Sequence, residues 1–235
     1  MEYPDTLRFY RKHLPHWEVA DGRYFVTIRL KGAIPETGQR NIRKLREQLD
    51  EAIANGQDGL RERRMIFREM ERWLDQADTI NHLTQPHVAE MIQEAIDYRE
   101  KSGAWTMFAY TLMPNHIHLF FRLGSRSTAP SVDLDTATPE AEQVHRRRGE
   151  PTAGNASDLN LENVLKPFKH WTAHHAKKLL GLQQHSFWQR EWFDHWSRSP
   201  EHDDGIVKYI RNNPMKAGLV SMPDQWPYTW TLKKS

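Results

Sequence analysis

Two imidazoles and a phenol are the side chains whose types and spacing most readily do chemistry here. In residues 109–122 (Ala-Tyr-Thr-Leu-Met-Pro-Asn-His-Ile-His-Leu-Phe-Phe-Arg), one residue separates His116 from His118. Side chains alternate along an extended strand, so both rings share one face with Phe120 and Arg122. Ile117, Leu119 and Phe121 point the other way. Two ring nitrogens on one side of a strand, with apolar side chains anchoring its back, make a platform for a divalent metal. The pair alone is a weak signal in a chain with 13 histidines, and two half-buried imidazoles at a sheet edge are the plainer alternative.

The phenol is Tyr209. Ile206, Tyr209 and Ile210 fall at i, i+3, i+4, and Asn213 follows Tyr209 by four, so on a helix Tyr209 and Asn213 share a face. A phenol has a pKa of about 10 and attacks a phosphodiester only where a base or local positive charge favours the phenolate. A divalent cation held by His116 and His118 would polarise a non-bridging phosphate oxygen, with Asn213 supplying an amide oxygen as third ligand. Mixed imidazole and oxygen ligation suits Mg²⁺ or Mn²⁺ better than a closed zinc site. On spacing alone, ordinary packing with the hydroxyl at the surface is the commoner use of such a tyrosine.

The elements that must position these groups follow from the patterning. Residues 23–30 alternate cleanly after the Asp21-Gly22 turn and are expected to form the first strand. A charged segment, 31–84, reads as a helical insertion with a helix at 60–74 carrying Met65, Ile66, Met70, Trp73 and Leu74; most of its charge reads as a solvated face. Pro86 opens a helix whose Val88, Met91, Ile92, Ala95, Ile96 and Arg99 fall on one face, and Gly103 closes it. Strands at 105–112 and 116–123 are joined by Met113-Pro114-Asn115, a turn signal. Residues 125–158, poor in large apolar side chains and containing Arg146-Arg147-Arg148, read as a mobile insertion.

Helical spacing resumes over 159–180, where Pro167 must start or kink the main helix. Lys166, Lys169, His170, His174, Lys177 and Lys178 crowd its polar side, and without a nearby carboxylate they read as a basic DNA-facing surface rather than a metal site. Residues 187–196 form a strand or extended segment. The last helix begins after Ser199-Pro200 or Asp203-Asp204, covers about 206–212 and is expected to break at Pro214. A tail closes on Trp226-Pro227-Tyr228.

The 235 residues fit one domain with insertions, or two small ones. No apolar run approaches a membrane span, the first ten residues lack a signal-peptide core, and there is no cysteine, so the cytoplasm is the expected compartment. A net charge of +2 permits a nucleic-acid partner without demanding one.

Residues 110–120 (Tyr-Thr-Leu-Met-Pro-Asn-His-Ile-His-Leu-Phe) and 209–220 (Tyr-Ile-Arg-Asn-Asn-Pro-Met-Lys-Ala-Gly-Leu-Val) resemble the two signatures of the REP-associated tyrosine transposases. These are relatives of the single-tyrosine insertion-sequence transposases in the HUH endonuclease superfamily. Phe187-Trp188-Gln189-Arg190, Trp226-Pro227-Tyr228 and Tyr-Phe-Val-Thr-Ile-Arg of the first strand fit the same pattern. The resemblance covers about 23–228 and implies a single α+β domain over 1–235, a ferredoxin-like antiparallel sheet of about four strands with packed helices. It implies His116 and His118 as the metal pair, Tyr209 as nucleophile and Asn213 as the residue completing the metal site. Arg190, Arg211 and Lys216, inside these motifs, join the basic helix as expected DNA contacts.

The implied reaction is cleavage of single-stranded DNA beside a REP-like hairpin through a 5′-phosphotyrosine. A 3′-hydroxyl is released and the step is reversible, performed by a monomer or homodimer. No phosphate-cradling Gly-rich loop is present, in keeping with a reaction that needs no ATP. The segments 31–84 and 125–158 look longer than the family needs, and Pro167 interrupts a helix that is usually unbroken. Pro214 disfavours helical geometry at Asn213, leaving Asn212 and Asn213 both open as the metal-facing residue. Because neutral imidazoles are required, activity is expected to fall below about pH 6.5. Two other readings are a non-cutting hairpin DNA- or RNA-binding module and a metal-dependent hydrolase using activated water with Tyr209 structural.

Overall fold

The computed structural model describes residues 6–11, 15–19, 21–76, 80–124, 160–182 and 186–232. Two short strands, β1 (Thr6–Arg11) and β2 (Pro15–Val19), form an antiparallel hairpin of their own. The expected first strand is therefore the third, β3 (Arg23–Arg29). Residues 6–19 mix aromatic and basic side chains without alternation, so their strand character was not visible by period. In β3 everything after Arg23 is buried, as befits a strand covered on both faces.

From β3 the chain runs through helices α1 (Glu36–Ala54), α2 (Leu60–Asp75) and α3 (Pro86–Lys101), then strands β4 (Trp105–Leu112) and β5 (His116–Leu123). Helix α4 (Leu161–Leu180), strand β6 (Phe193–Trp196), helix α5 (Pro200–Lys216) and strand β7 (Thr229–Thr231) complete it. The second sheet has five antiparallel strands in the order β6-β3-β5-β4-β7. Its first four strands, connected β-α-β-β-α-β, have the ferredoxin-like arrangement. The protein is thus α+β.

Strand β7 extends the sheet beyond the expected four. It pairs with Ala109, Tyr110 and Thr111, and its Trp230 stacks on Tyr110 at 5.9 Å. Its three residues are too few to reveal a period, so the strand lies within the expected tail.

The sheet separates two cores. Ile117, Leu119 and Phe121 look into the larger one with Val26, Ile28, Trp105 and the apolar faces of α3 and α4. Phe25, Ala109 and Phe120 look the other way, onto Ile206 and Ile210 of α5. Period-two alternation on β5 does the sorting.

Pro214, expected to break its helix, lies inside it, and Pro167, expected to start or kink its helix, also lies inside and does not start it. Helix α4 starts at Leu161 because the Asn160 side chain accepts a 2.8 Å hydrogen bond from the Asn163 N–H, and it passes through Pro167. Helix α5 starts at Pro200 behind Ser199, whose hydroxyl accepts from the His202 N–H, and runs through a buried Pro214 to Lys216. Within 31–84, α1 escaped notice because it buries only Gly38, Ile42, Leu49 and Ala52, too sparse a stripe to mark a period. The expected insertion at 125–158, with its arginine run, lies outside the described residues. Among the described residues no helix is long and apolar enough to cross a membrane.

Ile117 sits between the two histidines with its side chain fully buried on the far face. Ile117→Ala should lower the unfolding free energy by about 2–5 kcal/mol, read as a lower urea midpoint at unchanged slope. A loss well below that range would show that the back of the histidine strand is loosely packed.

Candidate metal centre

Strand β5 carries both imidazoles onto the face beneath α5, where both are buried. Their Nε2 atoms lie 3.0 Å apart. The opposite ring nitrogens are each held. His118 Nδ1 lies 2.9 Å from Thr27 Oγ1, its register partner on β3. His116 Nδ1 lies 2.6 Å from the amide oxygen of Asn115. That oxygen only accepts, so His116 carries its proton on Nδ1 and turns a lone pair inward from Nε2. Asn115 also donates from Nδ2 to the Leu74 carbonyl at 3.0 Å, tying the turn to α2.

The third member of the cluster is Glu71 on α2. Its Oε2 lies 3.3 Å from His118 Nε2, and the ligand atoms of Glu71, His116 and His118 all fall within 4.8 Å of one another. Sequence reasoning missed this residue, having assigned the charge of its segment to solvent and the third ligand to Asn213. The carboxylate is 3% exposed and shares the buried side of α2 with Ile66, Met70 and Leu74. A signal existed. Glu71 stands four residues after Phe67 and three before Leu74, inside the apolar stripe, where an unpartnered carboxylate is costly.

Helix α5 brings its groups to the same oxygen. The Tyr209 hydroxyl donates to Glu71 Oε2, and its ring lies 5.5 Å from that of His118. Asn213 is buried, with Nδ2 3.5 Å from Glu71 Oε2, while Asn212 is only half-buried. Between the two, Asn213 faces the cluster, because α5 stays helical through Pro214. Behind these groups Phe25 stacks on His118 at 5.2 Å and meets Tyr209 edge-on at 5.8 Å.

The donor set fits a divalent cation. Glu71 Oε1 and Asn213 Oδ1 are buried acceptors without a hydrogen-bond partner, and such atoms call for a donor, an ordered water or a cation. Metal–ligand bonds of about 2.1 Å at right angles place two donors about 3.0 Å apart, matching the Nε2 separation. Two imidazoles and a carboxylate, with an amide beside them, are a group that could hold a divalent metal ion.

Burial, then the charge on His118, pushes His116 down to about 3, so this ring stays neutral far below the pH 6.5 expected of an unperturbed imidazole. Burial opposes ionisation of Glu71. The charge and hydrogen bond of His118, with lesser help from His116 and Tyr209, outweigh it and hold the carboxyl near about 2. Burial, then the charge of Glu71 and the hydrogen bond to it, raises the Tyr209 phenol well above its ordinary value. Lys216 adds a cation nearby, 5.7 Å from the Tyr209 ring and 3.2 Å from Asp75.

The other basic residues expected at DNA are dispersed. Lys169 is turned inward: its ammonium donates to the Gln189 and Arg190 carbonyls, both at 2.8 Å, and lies over Trp192. This corrects its assignment to the outer surface, because α4 packs that flank against 187–192. Lys166 pairs with Glu162 and Arg211 with Asp224. His170, His174, Lys178 and Arg190 are exposed, and Lys177 is half-buried. Lys166, His170, Lys177 and Arg190 line one cleft of about 420 Å³, whose walls include Trp188 and Trp192.

Replacing Thr27 by Val keeps the volume but frees His118 Nδ1, and should weaken Mn²⁺ binding by about 10- to 100-fold in isothermal titration calorimetry. Glu71→Gln should weaken it further. Unchanged affinity in both variants would exclude this cluster as the binding site.

No protein-family profile matches the sequence, and no curated protein does. A search of solved structures finds a REP-associated tyrosine transposase bound to a REP hairpin. The likeness spans 94% of this chain and 80% of that one, at 16% identity and a TM-score of 0.50. It is a likeness of fold, and the fold of this chain is that of the tyrosine transposase whose signatures its two motifs resemble.

Proposed function

We propose that this protein is a metal-dependent endonuclease and strand transferase that uses Tyr209 as nucleophile on single-stranded DNA beside REP-like hairpins. The observation that carries the reading is the shared carboxylate: Glu71 Oε2 receives the Tyr209 hydroxyl and also meets His118 Nε2. A phenol on a C-terminal helix is thereby held against an imidazole pair on a mid-chain strand. The fold likeness to a hairpin-bound transposase supports the choice of substrate.

His116, His118 and Glu71 would hold the cation, with the Asn213 amide beside them. When bound, the cation would polarise a non-bridging phosphate oxygen and offset the negative charge that keeps the phenol protonated. The chain's own groups do the rest. Tyr209 oxygen forms the bond to phosphorus as the bond from phosphorus to the 3′-oxygen breaks. Glu71, held ionised, orients the phenol through its hydrogen bond and does not keep the proton, which passes to solvent, while the departing 3′-oxygen takes one from solvent. The product is a 5′-phosphotyrosine and a free 3′-hydroxyl, and attack by a 3′-hydroxyl reverses the step. Lys216, paired with Asp75, stands over the Tyr209 ring at 5.7 Å.

DNA contacts are assigned to the cleft of Lys166, His170, Lys177 and Arg190, with Lys178 on the same helix and with Arg211 and Lys216 on α5. Lys169 is left out, since its charge is spent internally. The chain is read as a single domain with its core over about 23–228.

The test is incubation with 3′-labelled single-stranded oligonucleotides containing short palindromes, with Mn²⁺, followed by a denaturing gel. Wild type should retain label on the protein. Tyr209→Phe keeps the ring against Phe25 and Phe67, and should lose at least a hundredfold of the adduct while binding DNA within about twofold of wild type. His116→Ala should lose cleavage. An adduct that survives Tyr209→Phe would remove Tyr209 from the reaction, and DNA binding without any wild-type adduct would leave a binding module.

A further inference from the structure

Beside Tyr209 opens a second cavity of about 500 Å³, enclosed by α2, β6 and α5. Its lining sorts by chemistry. Phe67 and Phe193 form one wall, with ring centroids 5.0 Å apart and planes 30° from parallel. Arg64, Arg68 and Arg198 stand exposed at the rim, and none is paired with a carboxylate among the described residues. No acidic side chain lines the cavity among those residues. Burial pushes His195, on another wall, down to about 3, with His202 and Arg198 adding to the effect, so its ring is a neutral hydrogen-bonding surface at physiological pH.

We propose that this cavity is a nucleotide slot, taking one unpaired base of the DNA strand while Arg64, Arg68 and Arg198 hold the flanking phosphates. The proposal rests on the reading above for the course of the strand, but the chemistry of the slot is its own. Aromatic rings accept any base by stacking, and guanidiniums recruit the backbone, the pairing found wherever single strands are held without sequence readout. A cavity of this size admits one flipped-out residue and excludes a duplex. Tyr209 lines the same cavity, so a base seated there brings an adjoining phosphate to the phenol. The slot therefore selects strands that are unpaired where Tyr209 would act, and a hairpin substrate must offer its single-stranded flank rather than its stem.

Gly205 on α5 supplies a clean probe. It lines the cavity, and a Cβ built on it meets nothing within 4 Å. Gly205→Leu would fill the slot from the helix side, leave Glu71, His116, His118 and Tyr209 in place, and favour the helix itself. Binding is measured by fluorescence anisotropy in EDTA, with an oligothymidylate of about 15 nucleotides and an abasic phosphodiester backbone of equal length. Wild type should prefer the oligothymidylate by roughly tenfold or more, and Gly205→Leu should lose most of that preference while binding the abasic backbone as wild type does. The Arg64→Gln/Arg198→Gln double variant should weaken both ligands and flatten the salt dependence.

No preference in wild type would reduce the cavity to a surface reading backbone charge and overturn the proposal, as would full preference in Gly205→Leu. Unchanged binding by the double arginine variant would overturn the phosphate assignment. Because binding is read without metal, lack of a covalent adduct overturns only the nuclease reading. Normal adduct with unaltered base preference in Gly205→Leu overturns only the slot.

Discussion

A buried carboxylate shared between a phenol and an imidazole is the constraint on which the site depends. Glu71 has left water almost entirely, a transfer that is costly for an ion unless partners compensate. Its partners come from far along the chain: the Tyr209 hydroxyl, 138 residues later, and His118 on the central strand. Docking of α2, the sheet and α5 strips these groups of water and in the same step supplies the partners that replace it. The site is assembled by tertiary packing, and its geometry is as rigid as that packing.

The sheet supplies the rigidity. Antiparallel register sets Thr27 opposite His118, so the strand pairing that builds the core also aims the imidazole. Alternation on β5 gives Ile117, Leu119 and Phe121 to one core and leaves the histidines and Phe120 on the other side, against α5. Phe25 packs against both His118 and Tyr209, restricting the two rings by shape rather than by hydrogen bonds. Orientation by second partners of this kind tunes ligand basicity as well as position.

Periodicity made part of this legible before any coordinates. A spacing of two placed His116 and His118 together, a spacing of four placed Asn213 with Tyr209, and the strands of the ferredoxin-like core carried the β-branched and aromatic runs expected of them. Glu71 stayed hidden because a search for apolar stripes passes over a charged residue within one. Lys169 was misplaced for the converse reason: helical spacing assigns a lysine to the polar side, yet its stem can lie along a packed surface and deliver its ammonium to backbone carbonyls. Pro214 misled through a local rule that tertiary packing overrode, and Pro167 does not start its helix, which leaves the kink as the other expectation for it. Strand β7 needed the rest of the sheet to give its three residues a partner.

The Asn115 amide has two ends and uses both. Its oxygen receives His116 while its nitrogen reaches the backbone of the helix that bears Glu71, 41 residues upstream. Turned over, the same amide would set its oxygen against the Leu74 carbonyl, a repulsion, and would force the His116 proton onto the other ring nitrogen. It therefore works as a keyed connector that seats only one way round. One imidazole's tautomer is written by the position of a distant helix, so any disturbance that slid α2 along the sheet would reach the histidine pair through the choice of which ring nitrogen keeps its proton.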